Sequence, residues 1–379
     1  YAYFAQPEAA TYAAADANGS IASMSGRYPV VSASGDVLHS YNSNFMQQTN
    51  TAYIVDEYSA LNDRLKLSAA FKESMITRQL TQIMPGLPSY RNGNSDAVPL
   101  PQVMASYQII TNDQIFVNGT TGFAEPAGWP SYADFISVAT GKQTRGHAQN
   151  LKPEYAISEE LGYRHHGFVN VNIALFNYNF TNRQVSTTEV VGGTRVSSSI
   201  NGGGQTSRGA TIELGLKPWH HLSPYISGQY IHATIDNNLR ASSGDYLRTK
   251  GKLAVNTPEF TASVGILYDN GSAFGGLLFN YVGSQYSTFM NDEKMPAYET
   301  LNMNFGYRFQ SVGFLHRPQI QLNLVNLGLG NKGYLSSTYS VATNAHATTG
   351  VYGTAIAASA PTYNVAGGFA GIVSVSSGF

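Results

Sequence analysis

Residues 301–309 read LNMNFGYRF, and this stretch decides the fold class. Its odd-numbered positions are all large and apolar, whereas the even-numbered positions between them are polar or glycine. Successive side chains of a β-strand point to opposite faces, so this alternation predicts a strand with one apolar and one polar face. The same period of two recurs at residues 63–72, 211–217 and 319–325. We therefore predict an all-β, antiparallel architecture.

The links between strands alternate in length along the chain. Thirteen strands are predicted, at residues 48–59, 63–77, 100–110, 113–123, 154–166, 168–182, 205–217, 221–236, 257–269, 273–287, 298–310, 317–327 and 367–379. Short turns are predicted at 61–62, 111–112, 166–167, 218–220, 270–271 and 310–316, and longer connections at 78–99, 124–153, 183–204, 237–256 and 328–366. Barrels of the bacterial outer membrane have tight turns on one rim and long loops on the other. The rhythm therefore favours an antiparallel transmembrane β-barrel of outer-membrane type.

Composition supports a lipid-facing protein. Only 12% of the 379 residues are charged, about half the usual share for a soluble domain, and there are 25 Tyr and 18 Phe. A net charge of -1 argues against a nucleic-acid partner. The absence of cysteine excludes a disulfide scaffold, a thiolate metal site and a cysteine nucleophile. No apolar run is long enough to predict a transmembrane helix, so a membrane-spanning form must be a barrel.

Six stretches carry a resemblance to a known family. They are TAYIVDEYSALNDRLKLSAAFK (51–72), PLPQVMASYQIITNDQIFVNGTTGFAEPA (99–127), NLKPEYAISEELGYRHHGFVNVNIALFNYNFTNRQV (150–185), SRGATIELGLKP (207–218), TPEFTASVGILYDNGSAFGGLLFNYVGSQY (257–286) and LNLVNLGLGNKGY (322–334). In this order they resemble the barrel motifs of the TonB-dependent outer-membrane receptors, and residues 150–185 match best. Ala124 and Glu125 depart from the family pattern, which has a basic residue there.

The resemblance implies a barrel of 22 strands that encloses an N-terminal plug domain. This sequence is then expected to hold an incomplete run of about 13–15 of those strands. We expect residues 1–47 to form poorly defined upstream barrel strands and a loop, residues 48–379 to form the C-terminal barrel strands, and the plug to be absent. Phe379 matches the terminal aromatic residue that the barrel-assembly machinery reads in this family, whereas Ser377 stands where an aromatic is common.

The function implied by the resemblance is energy-coupled uptake of a scarce nutrient across the bacterial outer membrane. A ferric siderophore or similar iron chelate is the expected ligand, and a TonB-type energy coupler would act through the missing plug. Outer-membrane lipid is the remaining expected partner. The resemblance implies no covalent chemistry, so we expect neither an enzyme nor a cofactor.

The residues themselves also offer no catalytic or metal site. No G-x-S-x-G motif is present, and no Ser, His and acid can be assembled into a triad. The pairs His165–His166 and His220–His221 fall at predicted short turns, where adjacent side chains diverge rather than converge on a metal.

Ligand contacts are expected on the extracellular loops, with Tyr286, Phe289 and Tyr298 as candidates. Charges also collect on the polar, inward-facing parity, where contact with the plug and solvation of the lumen are favoured over binding of an anionic ligand. These charges are Arg64, Lys66, Lys72, Arg164, Lys217 and Arg308 against Glu160 and Glu213.

Three other functions remain open from the sequence. A passive porin-type channel would be a complete barrel without a plug, which thirteen strands do not favour. An outer-membrane enzyme would need a Ser or acid cluster at the rim. A soluble β-sandwich would bury Leu65, Leu67 and Phe71 beneath a second sheet.

Overall fold

The computed structural model describes residues 2–7, 39–83, 89–126, 135–136, 143–145, 151–191, 194–241, 244–327 and 333–378. The strands of the first half are β1 (Ala2–Pro7), β2 (His39–Ala60), β3 (Leu65–Gln82), β4 (Tyr90–Ile110), β5 (Asp113–Ala124), β6 (Phe135–Ile136), β7 (Gln143–Arg145), β8 (Glu154–His166), β9 (Val169–Thr181), β10 (Gln184–Val191) and β11 (Thr194–Asn201). Those of the second half are β12 (Gln205–Leu216), β13 (Leu222–Ile235), β14 (Leu239–Arg240), β15 (Tyr246–Leu247), β16 (Phe260–Asp269), β17 (Ala273–Val282), β18 (Gln285–Tyr286), β19 (Lys294–Met295), β20 (Tyr298–Arg308), β21 (His316–Val325), β22 (Tyr334–Ser340), β23 (Thr348–Thr349), β24 (Ala355–Ile356), β25 (Thr362–Ala366) and β26 (Ala370–Gly378).

Fourteen of these strands form one antiparallel sheet. Its order is β1-β2-β3-β4-β5-β8-β9-β12-β13-β16-β17-β20-β21-β26, so each strand pairs with the next long strand of the chain. The thirteen predicted strands are all present, β1 is an addition, and β8 matches its predicted bounds of 154–166 at both ends. Among the described residues β1 pairs only with β2, and β26 only with β21. The prediction of an all-β, antiparallel architecture is confirmed.

One predicted long connection is wrong. Residues 78–99 were expected to form a loop, yet β3 continues to Gln82 and β4 begins at Tyr90, and these two residues are paired. An alternation of burial continues through this stretch: Arg78, Leu80 and Gln82 are buried on one face, while the residues between them are less buried. The polar character of this stretch hid the period of two in the sequence. The hairpin formed by β3 and β4 also extends far beyond the height that a membrane requires.

The pairing register separates an apolar face from a polar one. Ile226 pairs with Val264, and the next residues along, Ser227 and Ser263, pair on the opposite face. There the Ser263 hydroxyl donates to Asn280 Oδ1 at 2.7 Å on the neighbouring strand. Since directly paired residues share a face, the apolar side chains line one side of the sheet and the hydrogen-bonding ones the other.

The apolar face is not covered by other parts of the described chain. Leu67 and Phe71 lie on it and are 39% and 43% exposed. A β-sandwich would have buried them beneath a second sheet, so the exposure excludes that alternative. No helix in the described residues is long and apolar enough to cross a membrane.

Aromatic side chains mark the two edges of the apolar face. Tyr155 and Tyr163 share it on β8, and Phe260 and Tyr268 share it on β16. Both pairs are eight positions apart (155 to 163, 260 to 268), which is about 26 Å along a strand at about 3.3 Å per residue. A strand tilt of about 40° reduces this to about 20 Å, close to the apolar band of about 25 Å between the aromatic girdles of outer-membrane barrels.

Candidate functional site

The candidate site is the rim of the sheet that carries the long links. The described residues of 236–259 (all but 242–243), 283–297 and 333–369 pack against one another there, and we call these three segments the loop assembly. The opposite rim carries the short turns, and several of its turn residues adopt left-handed backbone angles, including Asn62 (φ 54°) and His221 (φ 67°). Long extracellular loops are where barrels of this kind contact their environment.

A small hydrophobic core holds the loop assembly onto the sheet. Ile235 ends the polar-face parity of β13 and is 8% exposed, because the loops cover it. It clusters with buried Val185, Leu239 and Phe289, and with the partly buried Val255 and Val341. The loops therefore share a hydrophobic core with the end of the sheet that carries the long links, and they are not separate, unpacked segments.

Asp292 fastens the segment 333–369 to the segment 283–297. Its carboxylate accepts the main-chain N–H of Ala345 at 2.9 Å and of His346 at 3.0 Å, and the hydroxyl of Thr288 at 2.6 Å. Burial raises the pKa of Asp292, but these donors outweigh it and hold the pKa below its usual value. The ionised carboxylate is thus the form that docks the two segments.

Asp245 makes an equivalent connection from the segment 236–259. Its side chain is 3% exposed and accepts the main-chain N–H groups of Tyr246 at 2.6 Å, Tyr352 at 2.9 Å and Thr354 at 3.0 Å. Burial raises the pKa of Asp245, and the three amide donors more than offset it, so its pKa is also lowered. Both carboxylates use mainly backbone donors, joined at Asp245 by the Thr354 side chain, so they fix the path of the loop at 345–354 largely through its main chain.

Asparagine side chains join the same segments at further points. Asn256 donates to the Thr338 hydroxyl at 2.6 Å and accepts the Thr338 N–H at 3.1 Å. Asn291 donates to the Leu253 carbonyl at 2.9 Å and accepts the Leu253 N–H at 2.7 Å. Within the segment 333–369, fully buried Asn344 donates to the carbonyl of Ala357 at 2.9 Å. These paired contacts make the loop assembly one cross-linked body.

The three predicted ligand contacts lie in or beside this body, but in different settings. Phe289 is 8% exposed and belongs to the hydrophobic core of the assembly. Tyr298 stacks on Tyr334 with ring centroids 4.4 Å apart, and Tyr286 lies 5.7 Å from the Lys294 ammonium. Of the three, Tyr286 and Tyr298 remain partly exposed, and contact of any of them with a ligand stays a prediction.

The predicted inward charges lie on the polar face and several have partners there. Arg308 donates to both oxygens of Asp269, at 2.8 Å and 3.0 Å, beside a short turn. The Arg164 guanidinium lies 4.1 Å from the Phe116 ring centroid. Glu160 accepts the Tyr178 hydroxyl at 2.6 Å. Three of these positions thus serve local packing on the polar face, and they do not converge on one binding site.

A buried polar group lies at the upper end of the polar face. Both carboxylate oxygens of Glu125 and the Arg78 Nε are buried, and none of these three atoms has a hydrogen-bond partner among the described residues. Burial raises the pKa of Glu125, and the charge of Arg78 only partly counteracts this. Arg78 donates from Nη1 to the Pro126 carbonyl.

An exposed group that the sequence did not single out lies on the segment 236–259. β14 and β15 form a two-stranded ladder in which Leu239 pairs with Leu247 and Arg240 pairs with Tyr246. The two leucines are 2% and 0% exposed, whereas Arg240 is exposed on the other face. Strands of two residues leave no readable period, so only the pairing could reveal this face.

Within the described part of the chain, no three His, Asp or Glu residues are grouped as metal ligands. The predicted histidine pairs have local roles instead. His165 Nδ1 lies 2.6 Å from Asp113 Oδ1, and His220 packs edge-on against Trp219 at 4.7 Å. Phe379, the predicted signal for barrel assembly, lies outside the described residues.

Comparison with protein families gives one match. The family model described as "TonB dependent receptor-like, beta-barrel" matches residues 4–327. No significant match was found among the curated proteins.

Solved structures share the fold at low sequence identity. The ferric citrate transporter FecA in its unliganded form is 16% identical with a TM-score of 0.64, over 92% of this chain and 47% of that one. The siderophore receptor PiuA from Acinetobacter baumannii is 15% identical with a TM-score of 0.63, over 89% and 44%. The ferric yersiniabactin uptake receptor FyuA from Yersinia pestis is 19% identical with a TM-score of 0.61, over 91% and 48%. This chain therefore spans less than half the length of these structures.

Proposed function

Because the chain belongs to the TonB-dependent receptor β-barrel family, we propose that it takes part in energy-coupled uptake of a ferric siderophore or similar iron chelate. Members of this family are integral outer-membrane receptors and transporters, and they are not enzymes. The chain is accordingly an integral protein of the bacterial outer membrane. The ligand, the energy coupling and the contact of the apolar face with lipid are the parts of this statement that we propose.

The observation that supports ligand capture is the cross-linked loop assembly. Asp245 and Asp292 hold three long links together at the rim opposite the short turns. A preformed surface loses little conformational entropy when it binds, whereas separate flexible loops would have to be ordered first. Such a body suits high-affinity capture of a dilute ligand. It suits a passive pore less well, because the entrance of a pore must stay open.

Energy coupling is proposed to need more than the strands described here. We propose that residues 1–47 contribute upstream barrel strands and a loop, and that residues 48–379 contribute the C-terminal strands. The remainder of the barrel and a plug domain would come from sequence beyond this chain, in line with its coverage of less than half of the solved structures. A TonB-type coupler would then act through that plug.

Iron uptake by a deletion strain tests the proposal. Cells that lack the gene are supplied with radiolabelled iron as ferric citrate, as a ferric tris-catecholate or as a neutral ferric trihydroxamate. We expect uptake of at least one chelate to be lost, to return on complementation with the intact gene, and to stop when a protonophore collapses the energy source.

The passive-channel alternative predicts a different outcome. Uptake that continues in de-energised cells, and that rises linearly with chelate concentration without saturation, would indicate a porin. Unchanged uptake of all three chelates in the deletion strain would refute iron uptake altogether.

A further inference from the structure

The exposed side of the β14–β15 ladder forms a basic and aromatic surface, which we call the basic platform: Arg240, Tyr246, Arg248, Lys250 and Tyr352. Arg240 pairs directly with Tyr246. Beyond the strand, the exposed Arg248 and Lys250 alternate with the buried Leu247 and Thr249, so they lie on the exposed side. The Tyr352 ring packs edge-on against the Tyr246 ring at 6.0 Å. Cations and aromatic rings therefore lie side by side on the rim that faces outwards.

The cations of the basic platform are available to a ligand. Arg240, Arg248 and Lys250 are exposed, and their side chains make no hydrogen bond or ion pair with the described residues. The nearby acid, Asp245, is buried and its oxygens are occupied by main-chain amides. In a chain whose net charge is -1, three exposed cations on and directly after one short ladder, with no partner among the described residues, form a local concentration of positive charge.

The backbone beneath these side chains is held rigidly. Leu239 and Leu247 are buried under the ladder, and the buried Thr249 hydroxyl donates to the Asn237 carbonyl at 2.9 Å while accepting the Leu239 N–H at 2.8 Å. The Tyr246 carbonyl accepts the Val351 N–H at 2.8 Å, which brings Tyr352 alongside. The platform is thus pre-organised by contacts that do not involve its guanidinium groups.

We propose that the basic platform binds the anionic oxygens of a negatively charged ferric chelate, and so selects anionic chelates over neutral ones. The inference rests on the proposed function and names the ligand class for the same loop assembly. A guanidinium presents its donors in a fork that matches carboxylate or catecholate oxygens in pairs. Tyr246 and Tyr352 add ring faces and hydroxyl groups against which an organic chelate can pack.

The same donors would also suit phosphate groups of outer-leaflet lipid. The two sources share anionic oxygen chemistry, but a chelate carries its charge in a compact body that can reach both guanidinium groups above the membrane. Vesicles that contain phosphorylated lipid A are therefore included as a separate arm of the test.

The test compares variants of the full-length receptor. R240A/R248A removes both forks, R240K/R248K keeps the charge without the fork, and K217A/R317A removes two charges at the opposite rim as a matched control. Each purified variant is titrated with ferric citrate and with a neutral ferric trihydroxamate at low and high salt, and binding is followed by tyrosine and tryptophan fluorescence. Uptake of the same chelates is measured in cells.

We expect the wild-type receptor to bind ferric citrate at least about ten-fold more tightly than the neutral chelate at low salt, and less so at high salt. R240A/R248A should lose about ten-fold or more for ferric citrate, R240K/R248K less, and K217A/R317A nothing. Circular dichroism and heat-dependent gel mobility that match the wild type would show that each variant is folded.

Several results would overturn the basic platform. They are equal affinity for both chelates, tighter binding of the neutral one, an unaffected R240A/R248A variant, or platform-dependent binding of lipid A vesicles alone. If the deletion strain loses uptake of a neutral chelate, the basic platform is overturned while the proposed function is left intact. Loss of no iron source in that strain would instead overturn the proposed function.

Discussion

The Asp245 carboxylate accepts the main-chain N–H of Tyr352 at 2.9 Å, although the two residues are 107 positions apart in the sequence. This contact joins the loop after β13 to the loop after β21, across the intervening hairpin. Because the carboxylate is 3% exposed and takes two further amide donors, it stabilises only the docked arrangement. The loops of this rim are therefore expected to move together rather than singly.

The first prediction concerns Asp292. Asp292→Asn should loosen the segment around residues 345–346. The amide keeps only one acceptor oxygen, and its N–H₂ group would face other N–H donors without forming a hydrogen bond to them. Loss of a hydrogen bond to a charged group costs about 1.5–3 kcal/mol. Hydrogen exchange of peptides covering 343–348 should accelerate, while peptides from β8 keep their protection.

Asp63→Asn is the matched control for Asp292→Asn. Asp63 lies in a short turn at the opposite rim with a left-handed φ of 62°, a conformation that Asn also adopts readily. It should leave exchange in 343–348 unchanged. Equal acceleration in both variants would show that Asp292 does not fasten the loop.

The second prediction concerns pH. The pKa values of Asp245 and Asp292 are both lowered in the folded protein, so their contribution to loop docking is complete above the usual carboxyl pKa of about 4. It is lost as the pH falls through the lowered native pKa. Pepsin cleavage within 345–354, measured against an unfolded reporter peptide, should rise steeply only below about pH 4.

A D245N/D292N double variant tests whether these two acids cause the pH response. Its loop should be cleaved at a rate that is already high at pH 4.5 and that changes little on further acidification. If the double variant kept the steep wild-type profile, other groups would have to control loop docking.

The third prediction concerns Gly162 on the polar face of β8. A Cβ there would lie 2.2 Å from Phe116 Cζ and 2.9 Å from the Ile173 carbonyl oxygen, so the Phe116 ring must move. That ring also supports the Arg164 guanidinium. Gly162→Ala should cost about 1–3 kcal/mol by overpacking and lower the temperature at which the folded band is lost in heat-dependent gel mobility.

Gly215→Ala provides the control for Gly162→Ala. Gly215 lies on the same polar face in β12, and a Cβ there would meet nothing within 4 Å. The Gly215→Ala variant should lose its folded band at the same temperature as the wild type. Identical melting of the two variants would mean that Phe116 can relax at no cost.

The fourth prediction tests which face meets lipid. Ile226 and Ser227 are neighbours on β13 whose side chains lie on opposite faces, apolar and polar respectively. Ile226→Lys should cost about 2–4 kcal/mol, as for a lysine near the membrane midplane, whereas Ser227→Lys faces water or the plug. Denaturant titration in lipid vesicles should show the loss only for Ile226→Lys, and the reverse order would invert the assignment of faces.

The strands were predictable because their signal is local. Both ends of β8 were predicted, and the apolar parity at residues 301–309 correctly identified an exposed apolar face of the sheet. Residues 78–99 were misplaced because the buried face carries polar side chains there, Arg78 and Gln82 beside Leu80, so its burial leaves no apolar alternation in the sequence. Hydrophobic alternation reports a strand only where the shielded face carries apolar side chains.

The sequence by itself determined the all-β class, the parity of the faces, the positions of the short turns and the family. Each of these depends on residues a few positions apart. The tertiary structure alone decided that Phe289 lies in a core, that Asp245 meets Tyr352, and that Arg240 pairs with Tyr246 on an exposed face. The core joins side chains from distant segments, and the Asp245 contact joins residues 107 positions apart through a main-chain donor. A main-chain amide is the same at every residue, so no side-chain pattern could indicate that contact.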